Sequence, residues 1–117
     1  LKDNTIDLRK SGAAEVHMRI ACPPLLYPCE FLNFSQSRTP LELAGRKAVF
    51  QLEGDAADLR EYSDPDSEKY KKMVAKIAET LDLDSLMYQR LDDLVEAIGL
   101  PKEKLCTHCW DGTSYYD

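Results

Sequence analysis

This chain has no apolar run approaching the roughly 18 residues that a membrane-spanning helix needs, and it carries no excess of basic residues. Its 117 residues include 21 Asp and Glu against 15 Lys and Arg, for a formal charge of −6. That balance argues against non-specific nucleic-acid binding, which needs clustered cations to displace counterions from phosphates. Glycine is scarce, at five residues, and none falls in a glycine-rich loop that would cradle a phosphate. No secretory leader pattern is read at the N-terminus. Four cysteines are too few and too spread for a secreted disulfide scaffold in a chain with long helical patterns. A reducing cytoplasm is the expected compartment, with the cysteines as free thiols, a redox pair or metal ligands.

The apolar content, 44%, is periodic, so the chain folds and is not a solvating tail. Residues 3–13 read as a short helix, capped by Asp3 or Asn4 and ended by Gly12. In Val16–Ala21, Val16, Met18 and Ile20 alternate with His17 and Arg19, the period of a strand. Residues 22–38 cannot be helical throughout, because Pro23, Pro24 and Pro28 remove backbone donors. Yet this segment holds Leu25, Leu26, Tyr27, Phe31, Leu32 and Phe34, so it is expected to pack against the body of the protein. Thr39-Pro40-Leu41-Glu42 reads as a helix start. That helix is expected to run to about Glu53, with Leu41, Ala44, Ala48 and Leu52 on one face.

Residues 54–63 read as a polar loop. Asp64-Pro65 opens a second helix, whose Tyr70, Met73, Val74, Ile77 and Leu81 follow the i, i+3, i+4, i+7 rule. Its Lys69, Lys71, Lys72 and Lys76 read as a solvated face paired with Glu68 and Glu79. Residues 85–89 are a second candidate strand. Arg90–Ile98 is a third amphipathic helix with Leu91, Leu94, Val95 and Ile98 on its face, Asp92-Asp93 in its first turn and Gly99 at its end. The expected division is a body at 1–100 and a tail at 101–117 that carries Cys106-Thr107-His108-Cys109.

The class is therefore α/β, with few parallel strands near 16–21 and 85–89 flanked by amphipathic helices. Two strands make a poor independent sheet. The pattern alone implies either a piece of a larger α/β domain or a homo-oligomer that completes the sheet.

The stretch Ala13–Cys29, AAEVHMRIACPPLLYPC, resembles the amidophosphoribosyltransferases, the glutamine-dependent enzymes that open purine synthesis. The resemblance continues through Asp84–Gly99, DSLMYQRLDDLVEAIG, and ends at the C-x-x-C of Cys106 and Cys109. FLNFSQSRTPLELAGRKAV looks like the version in one branch of that family. The resemblance implies a partial type I phosphoribosyltransferase fold and a position in the C-terminal part of the synthase domain. It implies phosphoribosyl pyrophosphate and glutamine as substrates of the whole enzyme, Mg2+ accompanying the former, and purine nucleotides as regulators. Neither the family's N-terminal cysteine nucleophile nor its acidic pair with a small-residue phosphate loop is found here. No catalytic residue is therefore expected in this chain, and Asp92-Asp93 does not replace that pair because it lies inside a helix.

The resemblance also implies a [4Fe–4S] cluster in the full-length parent, with Cys29, Cys106 and Cys109 at three of its four ligand positions. Cys22 stands where Ser or Ala is usual. Zinc held by Cys29, Cys106, His108 and Cys109 is an alternative use of the same side chains. A redox pair is another, although it would need the C-x-x-C at a strand-to-helix junction. His17 and Arg19 read either as a solvated sheet face or as groups near a nucleotide. Ser35, Ser37 and Arg38 read either as a capped polar loop or as an anion site. Two further readings of the whole chain stay open: a non-catalytic purine-sensing module of the same ancestry, and a small metal-stapled interaction domain.

Overall fold

The computed structural model describes residues 2–29, 31 and 43–113. The helix start read at Thr39–Glu42 and the polar cluster of Ser35, Ser37 and Arg38 lie outside the described residues.

A mixed α/β architecture is built on a two-stranded parallel sheet. Helix α1 (Lys2–Lys10) precedes strand β1 (His17–Ile20), and strand β2 (Ser85–Tyr88) pairs parallel to it, His17 opposite Ser85 and Ile20 opposite Tyr88. Between the strands lie α2 (Ala44–Glu53), α3 (Leu59–Ser63) and α4 (Glu68–Thr80), and after them α5 (Leu91–Ile98) and α6 (His108–Asp111). No described helix is long and apolar enough to cross a membrane. The core is Leu26, Ala48, Val49, Tyr62, Met73, Ile77 and Leu86. Because side chains alternate across a strand, Met18, Ile20, Leu86 and Tyr88 meet this core, and His17, Arg19, Ser85 and Met87 share the opposite face.

Helix α4 follows its sequence pattern, with Met73 and Ile77 buried. It starts at Glu68, later than the Asp64-Pro65 signal, because the Ser67 hydroxyl accepts from Tyr70 N–H and makes the cap. Its lysines pair differently from the expectation in one respect. Lys71 and Lys76 reach Glu68 and Glu79, but Lys69 turns back to Glu53 and Glu61. The helix ends without glycine. Asp82 takes φ 56°, Asp82 N–H donates to Glu79 O, and Leu83 N–H donates to Ala78 O. This is a Schellman turn with an aspartate in the left-handed position.

Two expectations fail for physical reasons. Residues 54–63 are not a polar loop: a 3-10 turn at Gly54–Ala56 leads into α3, which Asp58 caps by accepting from Arg60 N–H. Tyr62 of α3 is 1% exposed. On α2 the buried residues are Gly45, Ala48 and Val49, whereas Ala44 and Leu52 are exposed. The face is rotated because the loop after β1 packs on Gly45. A Cβ there would lie 2.9 Å from Leu26 Cδ2 and 3.0 Å from the Leu25 carbonyl oxygen.

Asp84 ties three elements together at the start of the sheet. Its Oδ2 accepts from Val16 N–H at 2.7 Å and from Arg9 Nη2 at 3.0 Å, while Arg9 Nη2 also donates to Asp82 O at 2.7 Å. The Val16 N–H and the Arg9 guanidinium hold the Asp84 carboxyl below its ordinary range, against a smaller opposing effect of desolvation. The folded form therefore binds this proton more weakly than the unfolded chain. The stabilisation is complete above the ordinary carboxylate pKa and is lost as pH falls through the lower folded value. Asp84→Asn is expected to flatten the acid limb of a thermal-melting profile against pH. A wild-type-like acid limb in the variant would remove this role.

Candidate functional site

The loop after β1 and the segment around α6 form one structure. Leu26 N–H and Tyr27 N–H both donate to the Cys109 carbonyl oxygen, at 2.9 and 3.1 Å. Arg46 of α2 donates to the Leu26 carbonyl at 3.2 Å. The Tyr27 ring meets His108 at a centroid distance of 5.8 Å and packs against Gly112, where a Cβ would lie 2.7 Å from a ring carbon. Burial raises the Tyr27 hydroxyl pKa, chiefly by desolvation. A 3-10 turn at Lys102–Lys104 leads into α6, and Asp111 locks the turn that follows. Its carboxylate accepts from the Thr107 hydroxyl, from Thr113 N–H and hydroxyl, and from Lys102 Nζ at 2.9 Å. Desolvation pushes the Asp111 carboxyl up, but these donors together outweigh it and leave the group below its ordinary range.

All four cysteines are thiols rather than disulfides. Cys29 is buried and its Sγ accepts from Phe31 N–H at 3.3 Å. Cys109 is half-buried on α6, and Cys106 is exposed before it. The docking of Cys109 O on Leu26 and Tyr27 brings the two cysteine segments to the same region. Even so, among the described residues no three His, Cys, Asp or Glu side chains are grouped to hold a metal ion. A [4Fe–4S] cluster asks for four converging thiolates. No chemistry is therefore assigned through a cluster or a zinc within the described residues. Cys22 lies near Tyr88. Its thiol is raised by burial, which makes it a poor nucleophile. Desolvation, with Tyr70 and Cys22 nearby, pushes the Tyr88 hydroxyl up to about 12.

A polar cluster occupies the face of the sheet turned away from the core. His17 Nδ1 lies 2.6 Å from Ser85 Oγ and His17 Nε2 lies 2.9 Å from Glu15 Oε2. Arg19 Nη1 donates to the same Ser85 oxygen at 2.9 Å. The sequence singled out His17 and Arg19 but not Ser85 or Glu15. Ser85 joins them only through the strand register, which no short-range signal carries. The residues suit hydrogen bonding to a polar or anionic group, but three of the four are exposed and each is already bonded to a neighbour.

Comparison with known proteins supplies what the geometry alone leaves open. The amidophosphoribosyltransferase of Methanothermobacter thermautotrophicus is 32% identical over 105 residues, covering 90% of this chain and 17% of that protein. The chain is similar to the amidophosphoribosyltransferases. The Mycobacterium tuberculosis amidophosphoribosyltransferase is 30% identical over 106 residues, with 90% of this chain and 16% of that protein covered. The Synechocystis enzyme of the same name is 30% identical over 105 residues, with the same shares. The chain therefore spans about a sixth of the length of the curated amidophosphoribosyltransferases it matches. Neither a family model nor a solved structure matches the chain.

Proposed function

We propose that this chain is part of the phosphoribosyltransferase half of an amidophosphoribosyltransferase, and that it supports catalysis without carrying it. The whole enzyme would take ammonia released from glutamine and displace pyrophosphate from phosphoribosyl pyrophosphate, giving 5-phosphoribosylamine in the cytoplasm. The ammonia nitrogen forms the new bond to the anomeric carbon, pyrophosphate leaves with the bonding pair, and a proton is lost from nitrogen. Mg2+ would enter with phosphoribosyl pyrophosphate and neutralise its diphosphate. No residue described here is assigned to that ion. Purine nucleotides are proposed as regulators of the whole enzyme.

The observation that carries this reading is similarity of about 30% identity across 90% of the chain to several enzymes of that one name. It is supported by the fold. The two stretches with the strongest motif resemblance hold the paired strands β1 and β2, so the resemblance follows the sheet rather than scattered surface. Within the described residues, the loop after β1, α3 and α6 pack together.

Two measurements test the proposal. Purified chain supplied with phosphoribosyl pyrophosphate, Mg2+ and ammonia is expected to release no pyrophosphate above background. Turnover by the chain alone would overturn its non-catalytic role. The genomic reading frame before Leu1 is expected to encode an acidic pair followed by a small-residue phosphate loop. Degenerate residues at that place would overturn the enzyme reading in favour of a purine sensor.

A further inference from the structure

The polar cluster on the outer face of the sheet has its proton positions fixed by the chemistry of its members. A carboxylate only accepts, and a guanidinium only donates. His17 Nε2, 2.9 Å from Glu15 Oε2, therefore carries the ring proton. Ser85 Oγ accepts from Arg19 Nη1 at 2.9 Å. In the neutral imidazole Nδ1 is then the acceptor, and the Ser85 hydroxyl donates to it at 2.6 Å. Every link points the same way, from Arg19 through Ser85 and His17 to Glu15. A nucleophile within hydrogen-bond reach of a base, with that base oriented by a third group, is the arrangement that activates a serine. The strands hold it in place. His17 stands opposite Ser85 in the ladder, and Arg19 opposite Met87 forms the next row on the same face.

We propose that Ser85 is a nucleophile toward small carboxylic esters, with His17 as its base, Arg19 as the donor to the oxyanion and Glu15 as the residue that positions His17. Ser85 Oγ attacks the ester carbonyl carbon and gives its proton to His17 Nδ1. The carbonyl oxygen becomes the oxyanion of a tetrahedral intermediate. Arg19 commits Nη1 to Met18 O and Ser85 Oγ, and its Nη2 makes no bond among the described residues. That second amino group of the planar fork lies beside the serine and serves the oxyanion. Collapse breaks the ester C–O bond, and the leaving alkoxide takes the proton from His17. Water, deprotonated by His17, then attacks the acyl-serine, releases the carboxylic acid and restores Ser85. The Glu15 carboxylate holds the imidazole by its far nitrogen and stabilises the imidazolium formed at each step. The surroundings select the substrate class. Glu15 repels an anion on this face, so a neutral ester fits better than a phosphate. Met87, 59% exposed on the same face, offers a short acyl chain an apolar surface.

The test uses the full 117-residue chain with two probes, diisopropyl fluorophosphate and p-nitrophenyl butyrate. Neither readout involves phosphoribosyl pyrophosphate, so each succeeds or fails independently of the phosphoribosyltransferase reading. With the first probe a Ser85 Oγ–P bond forms and fluoride leaves, and peptide mass spectrometry is expected to place the adduct on Ser85. With the second, steady hydrolysis is expected. Ser85→Ala is expected to abolish both. His17→Gln is expected to slow both by about a hundredfold, the usual contribution of a general base. Glu15→Gln is expected to lower kcat for the ester and leave KM unchanged, because Glu15 acts through His17. Circular dichroism checks that each variant is folded. If Ser85→Ala unfolds the chain, His17→Gln, which leaves the serine in place, carries the test. An unmodified Ser85 in the wild type would overturn the proposal. So would His17→Gln labelled at the wild-type rate, and a wild-type kcat in Glu15→Gln would remove the positioning role.

Discussion

Met73→Ala is expected to lower the unfolding free energy by about 2–5 kcal/mol, the usual range for removing a long buried side chain and leaving a cavity. Met73 is 0% exposed and sits where α2, α4 and the loop after β1 converge. Its sulfur lies 3.7 Å from the position a Cβ would take on Gly45. The surrounding elements cannot close over the void easily, because Gly45 already lets Leu26 come as near to α2 as the backbone permits. Urea denaturation followed by tryptophan fluorescence measures the loss. A change within the scatter of surface substitutions, about 0.5 kcal/mol, would show that Met73 does not hold these elements together.

Gly112→Val carries the second large effect, and it acts on the site rather than on the core. Gly112 takes φ +76°, which costs a residue with a side chain roughly 1–2 kcal/mol, more when it is β-branched. The added Cβ would also lie 2.7 Å from the Tyr27 ring, and forcing such a contact typically costs a further ~1–3 kcal/mol. The ring must swing away from His108, or α6 must lift off the loop. The expected result is that Leu26 and Tyr27 amides, which now donate to Cys109 O, lose hydrogen-exchange protection while Gln89, which donates to Ile20 O, keeps its own. Equal loss at all three amides would mean that the variant unfolds globally. Unchanged protection at Leu26 and Tyr27 would mean that the docking does not depend on this turn.

The legible parts of the fold are those that announce themselves by period. Helices α4 and α5 are readable because their apolar residues recur every three or four positions, β1 because its residues alternate, and β2 as a short apolar run. Asp92-Asp93 falls in the first turn of α5, where the helix dipole favours negative charge. Other features left no periodic trace. Helix α3 is five residues long, too short for a period, and Tyr62 with Leu59 holds it to the core. The buried face of α2 was misread because Gly45 is buried by having no side chain, and so adds nothing to an apolar pattern. The reversal at Asp82 uses an aspartate where a glycine is the usual sign.

The candidate site was legible in the same uneven way. The two cysteine segments were singled out by residue type, and the structure does bring the segments to one region. Their meeting runs through a backbone carbonyl at Cys109, which no side-chain identity encodes. For the same reason Ser85 was missed beside His17 and Arg19: only the pairing of two strands 68 residues apart puts it there.

The Asp84 clamp also sets an order in time. Its carboxylate is the receptor for Val16 and Arg9, yet it follows them by 68 and 75 positions. A nascent chain exposes α1 and β1 long before their acceptor leaves the ribosome. Until then their bonds to Asp84 cannot form, since contacts so far apart in sequence form only after a large loop is drawn shut. Cleavage during synthesis would therefore fall on α1 and β1, at a point that the finished molecule protects.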